Sequence, residues 1–333
     1  MRKDEDFFNW AISNPDRRHE VRDKITSSEW FYEWVKRWPE DRHIMRDRIN
    51  ESEWAYRWAQ KWPEDKDIMR DRVNKNYFVY EWVLRWPEDK DIMRNRIVDS
   101  YWAFRWAAKW PEDKDIMRYL INNSESATRW AKKWPRERHT MRDRINEDHW
   151  AYYWAYTWPK DKDIMRDRIN EDYWAFEWTL NWPEDKDIMR DRIKKSEWAF
   201  KWAHTWPEDR HIMRDQINES EWAYRWAFEW PEDKYIMRDR VKGSNWAYWW
   251  TNRWPEDKYI MRDRINESEW AYRWAKQWLE DKNIMKKQIE DPLWALEWLK
   301  DIGPDPDILE ICKKDKEIYN KALRFILQGS ERL

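Results

Sequence analysis

The sequence predicts an all-α fold, a right-handed α-solenoid of about twelve 24-residue helix–turn–helix repeats closed by a C-terminal helical cap. Three observations predict it. A Trp-Pro step returns every 24 residues: Trp38, Trp62, Trp86, Trp110, Trp134, Trp158, Trp182, Trp206, Trp230, Trp254 and Trp278 stand at that step, with Leu279 in place of the last proline. The other tryptophans keep the same period, thirteen equivalent to Trp58 and ten to Trp54, so that Trp249 alone of the 35 is out of step. Every methionine except Met1 shares one position, from Met45 to Met285.

The expected organisation has three parts: an N-terminal cap over 1–14, the repeat array over 15–300, and a helical cap over 301–333. The segment before Trp10 reads as polar and irregular, and Asn14-Pro15 as a degenerate first copy of the Trp-Pro step. Within a repeat, Pro39 suits a first helical position, where its missing N–H is no loss. Glu40 and Asp41 then favour the positive end of the helix dipole. A first helix is expected as far as Ile49, with Ile44, Met45 and Ile49 on its apolar arc. Asn50, with Glu53 three residues on, resembles a capping box and opens a second helix through Lys61. On that helix Trp54, Trp58, Trp62, Ala55 and Ala59 share an arc of about 140°. Helices this short are marginal alone, so they must stack. Near the C-terminus GPDPD at 303–307 introduces a different piece, in which ILEICKKDKEIYNKALRFIL reads as one or two amphipathic helices.

Composition narrows the function. Charged residues make up 40%, but Lys+Arg (65) and Asp+Glu (67) leave a formal net charge of −2. Such a chain lacks the global field that draws proteins to nucleic acid or acidic membrane. A single cysteine, Cys312, fits a reducing compartment. No apolar run suits a signal peptide or a membrane span, so a cytoplasmic location is expected. His19, His43, His139 and His211 share one repeat position, but their spacing makes no metal cluster. No nucleophile or phosphate-loop motif occurs. Neither an enzyme nor a cofactor site is expected.

The candidate contact residues are of two kinds. Trp249 and Tyr153 take the polar slot of Arg57, and Tyr119 takes the slot of Asp47. Tyr119 lies in the array's one lapse, YLINNSESATRW (119–130), which reads as a bend, a soft joint, a binding notch or a drifted copy. The second kind is an arginine ladder, Arg46, Arg70, Arg94, Arg166, Arg190, Arg238 and Arg262, accompanied by a second one through Arg48. Arg48 is expected to pair with Asp41 and to stack on a tryptophan; the alternative is a rail of arginines reading phosphates or carboxylates. The paired change to Leu120 and Ser126 in one repeat fits the stacking. The tryptophans themselves read mainly as core, against a stacking platform for bases, sugars or prolines.

The stretch DKDIMRDRINEDYWAFEWTLNW (161–182) resembles short α-helical repeats with the pattern D-K-E-I-V followed after a gap by A-L-x-Y-A, which occur in intracellular bacteria and large viruses. SEWAYRWA with its following W-P-E step is similar to tryptophan-alanine repeats of tailed phages. A more distant resemblance is to leucine-rich variant repeats, which share the period; the cysteine cluster of their iron–sulfur form is missing here. The resemblance covers about residues 7–300. It implies a solenoid and a phage, viral or bacterial source, and it assigns no activity.

The expected role is a non-enzymatic scaffold binding another protein or peptide through its variable surface. The pairs Gln60-Lys61, Leu84-Arg85, Tyr156-Thr157, His204-Thr205 and Phe228-Glu229 change chemistry while their neighbours do not. Two alternatives stand beside it: binding of single-stranded nucleic acid or another polyanion by arginine, tryptophan and tyrosine, and a self-assembling structural component.

Overall fold

The computed structural model describes residues 2–330, with side chains over 3–327. The described residues are helical throughout, with short turns between helices and no strand. They divide into two units, Met1–Arg168 and Ile169–Leu333, each a stack of 24-residue helical repeats of the α-solenoid class.

One repeat shows how the sequence builds both units. Pro39 opens a single 3-10 turn, Pro39–Asp41, which runs into a short α-helix, Arg42–Arg46. The fixed proline φ suits this start, and the preceding Trp38 is held away from helical geometry (φ −128°, ψ 82°). The helix stops three residues short of the expected Ile49. Arg72 of the next repeat donates to the carbonyls of Arg46 and Ile49. The second helix, Ser52–Lys61, has ten residues.

Asn50 does not cap that helix; the N-cap residue is Glu51, and it makes no side-chain capping bond. Asn50 instead ties two repeats together. Its backbone N–H donates to Ser28 Oγ at 3.2 Å, and its Oδ1 accepts from the same hydroxyl at 3.0 Å. Ser52 and Asn74 repeat the link one step on, at 2.8 and 3.0 Å.

The core is narrower than the sequence pattern implies. Every Trp58 equivalent from Trp34 to Trp298 is buried, together with Ala55, Ala59, Met45 and Ile49, while Trp10 at the N-terminal end is half-buried. The Trp54 and Trp62 equivalents are half-buried, Trp38 excepted. Ile44 leaves the core: it and its equivalents Ile68, Ile92 and Ile116 are exposed. A five-residue helix has room for one inward apolar position, and Met45 takes it.

Both ends of the array depart from expectation in the same way, by keeping the repeat. Arg2–Ser13 is a regular helix rather than an irregular segment. Its Phe8 packs on Trp30, Trp34 and Trp38 at centroid distances of 5.0, 6.3 and 5.7 Å, the contact that Tyr32 makes one repeat later. At the other end, Asp305 of GPDPD stands 24 residues after Asp281 and takes up the Arg46-type partner, Lys286, at 3.1 Å. Asp305 then caps Pro306–Cys312, and Lys316–Ser330 closes the chain as a second helix. Gly303 at φ 126° makes the turn between them and the last repeat, a conformation open to glycine.

Candidate interaction surface

The arginines equivalent to Arg46 face carboxylates in both units. Arg46 Nη1 lies 3.2 Å from Asp65 Oδ1 and its Nε 2.8 Å from Asp47. The corresponding distances are 3.0 Å for Arg70–Asp89, 2.8 Å for Arg94–Asp113, 3.3 Å for Arg190–Asp209, 3.3 Å for Arg238–Asp257 and 3.2 Å for Arg262–Asp281. Arg166 meets Asp163 and Asp167 at 3.1 and 3.3 Å. The ladder is neutralised, not an open rail.

The carboxylate at each of these sites is a buried hub. Asp89 accepts from Trp82 Nε1 at 2.8 Å and pairs with Lys66 at 3.1 Å and Arg70 at 3.0 Å. Burial alone raises such a carboxyl, but the indole N–H, the ammonium and the guanidinium outweigh it and hold Asp89 below the ordinary carboxylate range. Asp113 is held down in the same way, with Trp106, Arg94 and Lys90 as its donors. The hub joins two repeats, since tryptophan and cations precede the Trp-Pro step that the aspartate follows.

The Arg48 equivalents do something the sequence analysis did not foresee. They neither pair with the Asp41 position nor, in general, stack on tryptophan. Arg96 donates to the carbonyls of Arg70 and Val73, and Arg240 to those of Arg214 and Ile217. Arg48 itself lies over a ring, that of Phe31, at 4.5 Å. Tryptophan-facing cations come from other positions, such as Arg57 over Trp54 at 4.8 Å. The Leu120–Ser126 pairing is therefore not a lost stack. At Leu120, Gln216 and Gln288, where this arginine is absent, the first helix ends in a 3-10 turn, whereas at Lys24 it ends as in the arginine repeats.

The lapse at 119–130 keeps its helix. Ser124–Lys133 starts in register, and Asn123 is a true N-cap, accepting from Ser126 N–H at 2.8 Å. What changes is the hub acid, Glu137. It still takes Trp130 Nε1 at 2.8 Å, but Arg118 stands off at 3.9 Å and lies over Tyr119, 5.2 Å from the ring centre. Tyr119 itself is 72% exposed. Tyr153 on Asp148–Thr157 is 52% exposed and Trp249 on Ser244–Arg253 is 47% exposed, with its ring 6.4 Å from that of Trp270. No contact among the described residues joins these three.

A second surface assembles itself from the long helices. The Tyr56 equivalents reach into the next repeat's tryptophan triad: Tyr32 meets Trp54, Trp58 and Trp62 at 5.4, 6.5 and 5.4 Å, edge-on or tilted. These aromatics floor a series of clefts between successive second helices. One, of about 410 Å³, is lined by Tyr32, Arg57, Gln60 and Lys61. Another, of about 270 Å³, is lined by Phe200, Tyr224, Arg225, Phe228 and Glu229, and a third, of about 340 Å³, by Tyr248, Tyr272, Arg273, Lys276, Gln277 and Trp294. The cleft walls are the variable pairs, Gln60-Lys61 and their equivalents.

The wall residues touch the floor of the preceding repeat. Tyr248 Oη donates to Gln277 Oε1 at 2.6 Å, and Gln277 reaches back to Asn252 at 2.5 Å. Tyr272 Oη donates to Asp301, which also takes the Lys276 ammonium at 2.6 Å. Those two donors, the ammonium first, hold the Asp301 carboxyl below its usual range. The variable pairs are visible in the sequence, whereas the floor and one property of the walls emerge only with the structure. The residues equivalent to Lys61 are Arg37, Lys61, Arg85, Lys109 and Lys133 in five consecutive repeats. All five are exposed, and among the described residues none is in a salt bridge. Reading that single position down the chain was the signal available.

Among the described residues no three metal-ligating side chains come together, and no helix is long and apolar enough to cross a membrane. The structure thus defines a class, a tryptophan-rich helical repeat protein with a serial cleft surface. The chain matches no protein-family model, no curated protein and no solved structure.

Proposed function

We propose that the chain is a non-enzymatic scaffold that recognises a protein or peptide segment along the clefts between its second helices. One observation carries this reading: positions that the core leaves free to vary are the walls of clefts whose aromatic floor hardly changes. A floor that is aromatic from Tyr32 to Tyr272 except at Thr128 gives the clefts a shared apolar base, and the walls give each its own chemistry, with Leu180 and Phe228 in one unit and Lys61 and Lys109 in the other. The neutralised Arg46 ladder gives little support to a polyanion rail along the first helices. A peptide-display selection against the whole chain tests the proposal. Selected peptides are expected to bind at about 10 µM or tighter and to lose affinity on Phe228→Ala or Tyr224→Ala. Failure to select any peptide, or selected peptides indifferent to cleft substitutions, would sink it.

A further inference from the structure

We infer that the clefts of Met1–Arg168 seat an acidic, extended peptide segment, one carboxylate per cleft, with an acid at every third residue. This rests on the peptide-scaffold reading above and gives the partner its chemistry.

The row Arg37, Lys61, Arg85, Lys109 and Lys133 is the starting point. In this unit the half-buried first-helix cations have been given acids, as Arg46–Asp65, Arg70–Asp89 and Arg94–Asp113 show. The row has none, and Arg105 and Lys132 beside it add exposed cations that are likewise in no salt bridge among the described residues. Each member of the row ends a second helix, where a cation complements the negative end of the dipole. That does not account for the row. Asn181, Thr205, Glu229 and Gln277 end helices of the same length in Ile169–Leu333 and terminate them in the same way.

The chain holds its own precedent for the ligand. In the last cleft the Lys61 position is Asp301, and its carboxylate is seated by the Tyr272 hydroxyl and the Lys276 ammonium of the repeat before. The cleft at Tyr32 offers the same kinds of donor, a floor hydroxyl with Lys61 on the wall; the neighbouring Arg57 is held by Glu53 at 2.7 Å, while Lys61 is in no salt bridge among the described residues. The carboxylate must be supplied from outside.

Spacing decides the shape of the ligand. Neighbouring helices pack about 10 Å apart, so the cations recur on that interval. A polyproline-II segment has three residues per turn and advances about 9 Å per turn, presenting every third side chain on one side. Acids at every third residue therefore meet successive clefts. Single-stranded nucleic acid fits less well, because stacking needs free ring faces. The floor rings Tyr32 and Tyr56 are packed against Trp54, Trp62 and Trp86, and the cation row supplies charge alone.

The test is fluorescence anisotropy with the full chain and three labelled probes. These are a Glu-Pro-Ser repeat of about fifteen residues, sized to span the row, its Gln-Pro-Ser counterpart, and an oligothymidylate of matched charge. A single exposed ion pair changes affinity about fivefold at most, and several in series multiply. The glutamate peptide is expected to bind, to weaken with salt, and to bind about 100-fold more weakly to the Lys61→Gln, Arg85→Gln, Lys109→Gln, Lys133→Gln quadruple variant. Circular dichroism melts of that variant should match the parent chain. Equal binding of the glutamine peptide overturns the acidic partner while leaving the scaffold reading intact. Tighter binding of the oligothymidylate overturns the choice of a peptide, and unchanged affinity in the quadruple variant overturns the site. Failure of the glutamate peptide to bind overturns this inference; the scaffold reading falls only if the display selection also fails.

Discussion

Two cation ladders run through Met1–Arg168 with the same 24-residue period and differ in what faces them. Arg46, Arg70 and Arg94 stand half-buried against buried aspartates that also take a tryptophan N–H. Lys61, Arg85 and Lys109 stand exposed beside aromatic clefts, in no salt bridge among the described residues. Ile169–Leu333 keeps the first ladder, at Arg190, Arg238 and Arg262, and breaks up the second, with Asn181, Thr205 and Glu229 in its place and Arg253 as the one cation left in that row. A ladder retained in both units behaves as part of the repeat's construction. A ladder present in one unit is a property of that unit's surface, and its removal leaves the fold's own bonds untouched.

The sharpest break of the first ladder is at its hub. Asp89→Ala strands the Trp82 indole N–H in the core and leaves Lys66 and Arg70 with only the exposed acids Glu88, Asp67 and Asp71. Removing one member of a buried charged cluster costs about 3–5 kcal/mol. The lower end is expected here, because the two cations are partly solvated. Urea unfolding followed by tryptophan fluorescence measures it; a loss below about 1 kcal/mol would show that the hub is a surface ion pair after all.

The Arg48 equivalents come next. Arg96→Leu removes donors to the carbonyls of Arg70 and Val73. The Arg70 carbonyl keeps the Val73 N–H at 3.2 Å, so the Val73 carbonyl is the one left short, at a cost of about 1–3 kcal/mol; at Leu120 and Gln216, which lack this arginine, the chain takes a 3-10 turn. A crystal structure of the variant is expected to show residues 94–96 as such a turn. If that segment keeps its present turn, the account of Leu120 fails.

The hubs also set a response to acid. Asp41, Asp89, Asp113, Asp209, Asp257 and Asp281 are held below the ordinary carboxylate range: burial acts to raise each of them, and tryptophan and cationic donors more than reverse it. A folded-state carboxyl more acidic than its unfolded counterpart contributes fully above the unfolded value, about pH 3.9 for aspartate. That contribution is lost as pH falls through the folded value. The urea midpoint is therefore expected to be insensitive to these hubs from neutrality to about pH 4 and to drop below it. In Asp89→Asn the drop should be smaller. An equal drop in both chains would remove the hub from the explanation.

These outcomes bear on what a sequence can reveal. The period, the Trp58 core and the two helices per repeat were legible because each rests on side chains recurring at fixed spacing. The partner of Arg96 was not, because it is a main-chain carbonyl in the neighbouring repeat, and no residue type marks it. Asn50 misled for a related reason: an asparagine before a helix has the composition of a cap, yet its amide is used across repeats by Ser28. Ile44 misled because a helical wheel presumes several turns, and Arg42–Arg46 is little more than one. The candidate surface was half legible. The variable pairs were visible, but the floor that turns them into clefts depends on Tyr32 reaching a tryptophan triad one repeat away.

The smallest expected effect is the one that separates the ladders most cleanly. Lys109→Gln removes an exposed cation at the end of Ser100–Lys109. What it loses for folding is a screened interaction with the helix terminus, about 0.3–1 kcal/mol at low salt and less at physiological salt. Arg94→Gln, in the other ladder of the same unit, removes a partner from the Asp113 hub, where the acid also holds Trp106 and Lys90. The two substitutions delete the same formal charge in neighbouring helices, so net charge cannot explain a difference between them. Stability should fall clearly in Arg94→Gln, and in Lys109→Gln by less than about 0.5 kcal/mol. If Lys109→Gln destabilises as much as Arg94→Gln, the row is structural and its exposure has been misread. If it does not, the five cations are held at the surface by nothing the fold requires, which is the condition a binding surface has to meet.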